Sequence, residues 1–274
     1  MDPIPAASPI LFQHDWQGRN LMVVDEGEYR SLYFDNQMTQ SRMQKEHPLW
    51  LVLPYTRYML ACLLFNPHPR HMFMIGLGGG SLVKFFLHYF PECQIDVVDA
   101  NPEMGMIAQH FFFLPQEERL TIHCADGETF VAGMSNPPLL YDLILVDAFD
   151  HDGMSPSIYT KQLFKQLHPW LSRTGILAIN LNRAEQHRYT HSLADLAACC
   201  PDWLFRLPVP SPSRNEIIFC CKQAKPDAPQ ESLQQRATAW ADHQPPIDFV
   251  DFANRLLPLK PTVWQQWLHR FNPH

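Results

Sequence analysis

Two periodicities divide the chain. Residues 20–36, NLMVVDEG and EYRSLYFDN, alternate apolar and polar side chains as half-buried strands do, with a turn at Glu26-Gly27. This predicts a small antiparallel hairpin unit within residues 9–45. From Pro48 to Phe65 the apolar spacing becomes helical, and Asn66-Pro67-His68-Pro69 ends that helix because proline removes a donor and restricts its neighbour. Short apolar runs then alternate with helical ones. HMFMIG, QIDVVDA, LTIHCADG, YDLILVDAFD and GILAINLN read as strands. SLVKFFLHYF, PEMGMIAQHFFF with Pro102 near its start, and SPSIYTKQLFKQLHPWL with a serine cap beside Pro156 read as helices. Such alternation predicts βαβ units and a doubly wound, parallel α/β sheet. DWLFRLPV and NEIIFCCK are expected to close the sheet edge as an antiparallel pair.

The polar, proline-containing segment QAKPDAPQESL, residues 223–233, reads as a linker. Beyond it lie amphipathic helical pieces with Trp240, Trp264 and Trp267. The expected organisation is a β-hairpin unit over residues 1–46, a Rossmann-like nucleoside-binding domain over 47–223 and a helical C-terminal extension over 224–274. Packing on the main domain and a homodimer contact are both open to the tail tryptophans.

Composition narrows the function. With 46% apolar and 18% charged residues, the chain is globular. A net charge of −7 argues against nucleic acid, which rewards clustered Lys and Arg, and is compatible with a small cationic substrate. The seven cysteines include two adjacent pairs, Cys199-Cys200 and Cys220-Cys221, and no C-x-x-C. They read as reduced, mostly buried thiols of a cytoplasmic protein. MDPIPAASPILFQHDW lacks the basic start of a signal peptide, and Leu49 to Phe65 is too interrupted to span a bilayer. His187 and His191 are four apart on a helix, but no third ligand accompanies them, so no metal is expected. Phe111-Phe112-Phe113 reads as core or helix-end packing rather than a base-stacking platform.

The chemistry centres on Met74-Ile75-Gly76-Leu77-Gly78-Gly79-Gly80-Ser81, a glycine turn between strand and helix. Glycine lets the chain bend sharply and a ligand approach the backbone, and helix N-terminal amides then face that ligand. Asp99 ends the next strand, about 20 residues on, where a carboxylate accepts ribose hydroxyls; it can also cap the helix that follows. A dinucleotide fingerprint would carry glycine at position 81, where Ser81 stands. Asp126-Gly127, past the third strand, suits an adenine amino group or an ordinary turn. Together with Asp147, it places acidic residues at successive strand ends, where open α/β sheets bind ligands.

GLGGGS, VVDANPEM, CADGETF and YDLILVDAFD, in this order, resemble the spermidine synthase (polyamine aminopropyltransferase) family over roughly residues 20–220, and MTQSRM resembles the end of that family's N-terminal β unit. The resemblance implies the Rossmann-like fold of the S-adenosylmethionine-dependent methyltransferases. It implies aminopropyl transfer from decarboxylated S-adenosylmethionine to a polyamine such as putrescine, without a metal. Gly76, Gly78, Gly79 and Gly80 would line the methionine-derived part of the co-substrate, Asp99 would hold ribose, and Asp126 with Gly127 would meet adenine. Gln40 would flank the co-substrate. Asp147 would be the catalytic aspartate, with Asp150 and Tyr55 binding the polyamine.

Two positions depart from the family pattern. Gly79 stands where the family carries an aspartate for the amine of decarboxylated S-adenosylmethionine, and His151 follows Asp150 where the family carries proline. Without that carboxylate an aminopropyl group loses its charge partner, and the carboxylate of intact S-adenosylmethionine is no longer repelled. Methyl transfer from S-adenosylmethionine to a small acceptor, or nucleoside binding without catalysis, are therefore the alternatives.

Overall fold

In the computed structural model, residues 8–35, 38–134, 137, 139–150, 153–200, 203–222, 230–240 and 247–259 are described. The N-terminal sheet contains β1 (Ile10–Trp16), β2 (Arg19–Glu26), β3 (Tyr29–Phe34) and β4 (Met38–Gln44), antiparallel in that order. Alternation gives it one apolar face. Leu21, Val23, Leu32, Phe34 and Met43 all join the main core.

Helix α1 (Pro54–Met59) and a 3₁₀ turn at Leu60–Leu64 follow. The helix thus starts at Pro54, not at Pro48 as the spacing suggested. Pro54 occupies the first helical turn, where its missing N–H costs nothing. Then come β5 (His71–Ile75), α2 (Ser81–Tyr89), β6 (Gln94–Asp99), α3 (Met104–Phe112) and β7 (Leu120–Cys124). A short helix that the apolar spacing did not reveal, α4 (Gly127–Gly133), follows β7, with Asp126 as its N-cap. Next are β8 (Tyr141–Val146), the two-residue strands β9 (Phe149–Asp150) and β10 (Gly153–Met154), and α5 (Lys161–Trp170). The cap of α5 is Thr160, whose hydroxyl accepts from the Leu163 amide, so Ser155 and Pro156 lie in a turn before the helix.

The chain continues through β11 (Leu171–Asn182), α6 (Gln186–Cys199), β12 (Trp203–Pro208), β13 (Asn215–Cys221), α7 (Gln230–Trp240), α8 (Phe249–Arg255) and β14 (Leu257–Leu259). β12 and β13 pair antiparallel as expected, but β14 pairs outside β12, so the C-terminal extension completes the sheet edge. Residues 230–233 of the expected linker already belong to α7. Trp240 stacks on Phe249, and Trp264 and Trp267 lie outside the described residues.

The main sheet runs β14-β12-β13-β11-β8-β5-β6-β7. Its central strands are apolar runs because helices cover both faces. Met72 and Met74 of β5 enter one core cluster, while Phe73 and Ile75 enter the other. From β5 the chain winds outward to β6 and β7, then returns to β8 on the other side of β5. That reversal opens a crevice at the carboxyl ends of β5 and β8. No helix among the described residues is long and apolar enough to cross a membrane.

Beneath the crevice, α2 buries the ammonium of Lys84, which donates to the Phe112 carbonyl at 2.6 Å and meets Met43 Sδ at 3.3 Å. Burial lowers its pKa to about 8. Between that value and the ordinary lysine range the unfolded chain holds a proton that the folded chain has released, so stability rises with pH. Buried Cys62, Cys93 and Tyr141 titrate with the opposite sign over the same range, so the Lys84 contribution is read as a difference. We expect the stability of the wild type relative to Lys84→Met, measured by denaturant unfolding, to rise with pH by up to about 3 kcal/mol. Parallel pH profiles for the two proteins would contradict it.

Candidate functional site

Two strand tips build the site from the backbone outward. Ile75 and Val146 are paired neighbours, and the Asp147 amide donates to the Ile75 carbonyl at 2.9 Å. The next residue on β5 must turn under this contact. Gly76 does so at φ 92°, and a Cβ there would stand 2.2 Å from the Asp147 carbonyl oxygen. Gly78 and Gly80 also have positive φ, 52° and 71°, values that side chains resist. The N-terminal sheet clamps the turn from outside, with Ser41 Oγ accepting from the Gly79 amide at 2.7 Å.

A cavity of about 1490 Å³ opens over these tips. Gly76, Gly78, Asp99, Asp126, Gly127, Asp147, Gln40 and Tyr55 all line it, so side chains separated by more than a hundred residues meet around one space. Gly79 and Gly80 are not among the lining residues. A Cβ at Gly79 would lie 2.9 Å from the Phe112 ring and 3.0 Å from Ser41 Cβ, and one at Gly80 would touch Leu114. Phe112 is thus core packing against the turn. Asp150 belongs to β9, where it pairs with Gly153, but its side chain lies outside the described residues, as does His151.

Asp99 is tied into the bend. Its Oδ2 accepts from the Leu77 amide at 2.8 Å and its Oδ1 from the Asn101 amide at 2.9 Å. Burial raises its pKa, against the pull of the amides of Leu77, Asn101 and Gly78. Asp126 Oδ1 caps α4 through the Thr129 amide at 2.9 Å, and its Oδ2 faces Ser157 Oγ at 3.5 Å. The cap role and a position on the cavity coexist. Gly127 is needed behind it, since a Cβ would press within 3 Å of Ile75 and Ile158.

Asp147 is the most perturbed carboxylate of the cavity. Desolvation pushes its pKa up to about 6, opposed by hydrogen bonds from Asn180 and Tyr55. Asn180 Nδ2 donates to Asp147 Oδ1 at 2.9 Å, and Asn215 Nδ2 donates to Asn180 Oδ1 at 2.9 Å. Burial and the Asp147 charge raise the Tyr55 phenol well above its ordinary range, so it stays a donor. Sequence reading missed Asn180, Asn215 and Ser41. The available signal was an asparagine inside the otherwise apolar run GILAINLN, where a buried amide needs a polar partner. Arg42 also lines the cavity. Its guanidinium lies over the Tyr29 ring and stands 3.7 Å from Glu26, while its Nε is buried without a hydrogen-bond partner. His187 and His191 pair on an exposed stretch of α6, with ring centres 4.2 Å apart.

A family model described as "Spermine/spermidine synthase domain" matches residues 54–229. A polyamine aminopropyltransferase of Chromobacterium violaceum is 32% identical over 235 residues, covering 85% of this chain and 88% of that protein. The crystal structure of a spermidine synthase in complex with the transition state analogue AdoDATO superposes with a TM-score of 0.72 at 12% identity, over 94% of this chain and 87% of that one. Human methyltransferase-like protein 13, in complex with SAH, superposes with a TM-score of 0.61 at 28% identity, over 68% of this chain and 90% of that one. The fold is therefore the Rossmann-like, methyltransferase-type α/β sheet with a small antiparallel N-terminal sheet.

The Tyr55 hydrogen bond favours the ionised form of Asp147, so removing it raises the carboxyl pKa. Tyr55→Phe should move the titration of Asp147, read by carboxyl NMR or infrared difference spectra, above about 6. An unmoved or lowered titration would contradict the geometry.

Proposed function

The chain belongs to the spermine/spermidine synthase family, and on that premise we propose that it is a transferase moving an aminopropyl group from decarboxylated S-adenosylmethionine to a polyamine such as putrescine. One observation carries this reading: the carboxylate of Asp147 closes an apolar strand at the cavity, held by Tyr55 and Asn180, with its pKa raised to about 6. A diamine is protonated at neutral pH, and an ammonium has no lone pair. Desolvation raises the carboxylate and lowers an ammonium brought beside it, which narrows the gap for proton transfer. Asp147 attracts the cation and takes up or relays its proton. The freed nitrogen pair then attacks the S–CH₂ carbon, and the C–S pair returns to sulfur. The sulfonium becomes a neutral thioether, so the leaving group needs no acid. In-line positioning of the two reactants supplies much of the rate.

In this reading Asp99 holds the ribose hydroxyls and Asp126 the adenine amino group. Gly76, Gly78 and Gly127 let the nucleoside approach the backbone, and Gln40 flanks it. Tyr55 and Asp150 contribute to the acceptor end. The Gly79 amide is already engaged by Ser41. The acceptor is a small soluble cation, met away from any membrane or nucleic acid in the cytoplasm.

A second reading has its own observation. Phe112 and Ser41 fill the space beside Gly79, so no carboxylate from that position would reach the cavity without displacing them. Arg42, with an unpartnered Nε, lines the same cavity. An arginine and a missing aspartate both suit a donor that keeps its carboxylate, which supports methyl transfer from intact S-adenosylmethionine.

Incubation with putrescine and each donor, followed by mass spectrometry, separates the readings. We expect spermidine and 5′-methylthioadenosine with the decarboxylated donor, and a larger rise in melting temperature with that donor than with the intact one. A methylated product, or the reverse order of stabilisation, would replace the first reading by the second. Asp147→Asn should cut kcat by roughly 10²–10⁴-fold while sparing donor binding. In the wild type, kcat/KM should rise with pH through about 6, because Asp147 must lose its proton to act.

A further inference from the structure

Away from the cavity, three side chains bring soft donor atoms together. We propose that His168, Cys200 and Cys220 form a zinc site on the sheet face covered by α5 and α6. One ligand atom from each lies within 4.8 Å of the other two. Sulfur and nitrogen ligands of tetrahedral zinc stand about 3.5–3.8 Å apart, given bond lengths near 2.3 and 2.0 Å. Small side-chain rotations bridge that difference.

The setting favours a cation of this class. His168 sits in the last turn of α5, Cys200 is the C-cap of α6, and Cys220 lies on β13. Two helices thus direct carbonyl ends, with partial negative charge, toward one place. Cys200 and Cys220 are each 1% exposed, so a lone thiolate there would be costly. Two thiolates, a neutral imidazole and Zn²⁺ sum to zero charge, which makes the ionised thiols tolerable in an apolar shell. Binding therefore releases the two thiol protons and tightens as pH rises. His168 is only partly buried, while Cys200 and Cys220 are buried. Three protein donors leave one coordination position, which a water can fill. None of the three residues lines the donor cavity, so the site would staple α5, α6 and β13 rather than take part in group transfer.

Cobalt(II) substitution of the reduced, full-length protein tests this. The expected result is one ion per chain, with a thiolate-to-cobalt charge-transfer band and the ligand-field bands of a four-coordinate ion, both displaced by zinc. Cys200→Ser and Cys220→Ser should each weaken binding by more than the roughly 10–100-fold that losing a supporting residue costs. Cys124→Ser, at an exposed thiol outside the cluster, should not change it. His168→Gln keeps both thiols and should also weaken binding. The wild-type spectrum decides whether the site exists without requiring any variant to fold. Absence of thiolate bands, bands unaffected by the Cys200 and Cys220 substitutions, or a Cys200–Cys220 disulfide in the protein as purified would each overturn the proposal.

Discussion

The constraint on which the site rests is the passage of Gly76 beneath the carbonyl of Asp147, where a single methyl group would come within 2.2 Å of oxygen. The Asp147 amide to Ile75 carbonyl bond brings the two strand tips to this distance, and glycine alone tolerates it at φ 92°. The rest of the site is arranged around the contact. The bend aims the Leu77 amide at Asp99, lifts Gly78 toward the cavity and starts α2 at Gly80. Ser41 reaches across from the N-terminal sheet to hold the Gly79 amide.

Electrostatics follow from the same closeness. Asp147 and Asp99 both face the cavity, where burial raises each pKa and hydrogen bonds pull each back. The partners differ in kind. Asp99 is held by backbone amides, which fix its place in the bend. Asp147 is held by side chains, Tyr55 and Asn180, and Asn180 is in turn oriented by Asn215. A carboxylate supported in this way can change protonation without the backbone moving. The missing acid at Gly79 also has a packing reason. Phe112, whose carbonyl is anchored by the buried Lys84, occupies the volume a side chain would need.

Much of this was legible in one dimension. Apolar runs alternating with helical spacing implied the parallel sheet, and glycines following a strand implied the bend. Acidic residues closing three successive runs implied a shared edge, and all three line one cavity. The errors have local causes. Apolar residues before Pro54 mimic helix spacing, but Pro48 and Leu49 form a turn closed by the Trp50 amide on the His47 carbonyl, and no helix starts until Pro54. Ser155 looks like a cap, yet Thr160 has the free geometry for it. Helix α4 is too short for periodicity, and β14 is a strand only because β12 leaves an open edge for it.

Order along the chain determined which residues end which strands, because side-chain alternation and glycine flexibility are local properties. Hence the fold class and the carboxylates at positions 99, 126 and 147 could be read without coordinates. Only the tertiary structure decided which polar groups answer those carboxylates and which way each glycine faces. Asn180 meets Asp147 across neighbouring strands, Ser41 meets Gly79 from another sheet, and His168 meets Cys200 and Cys220 from three separate elements. Such meetings depend on strand order and packing direction, which the spacing of residues along a chain does not encode.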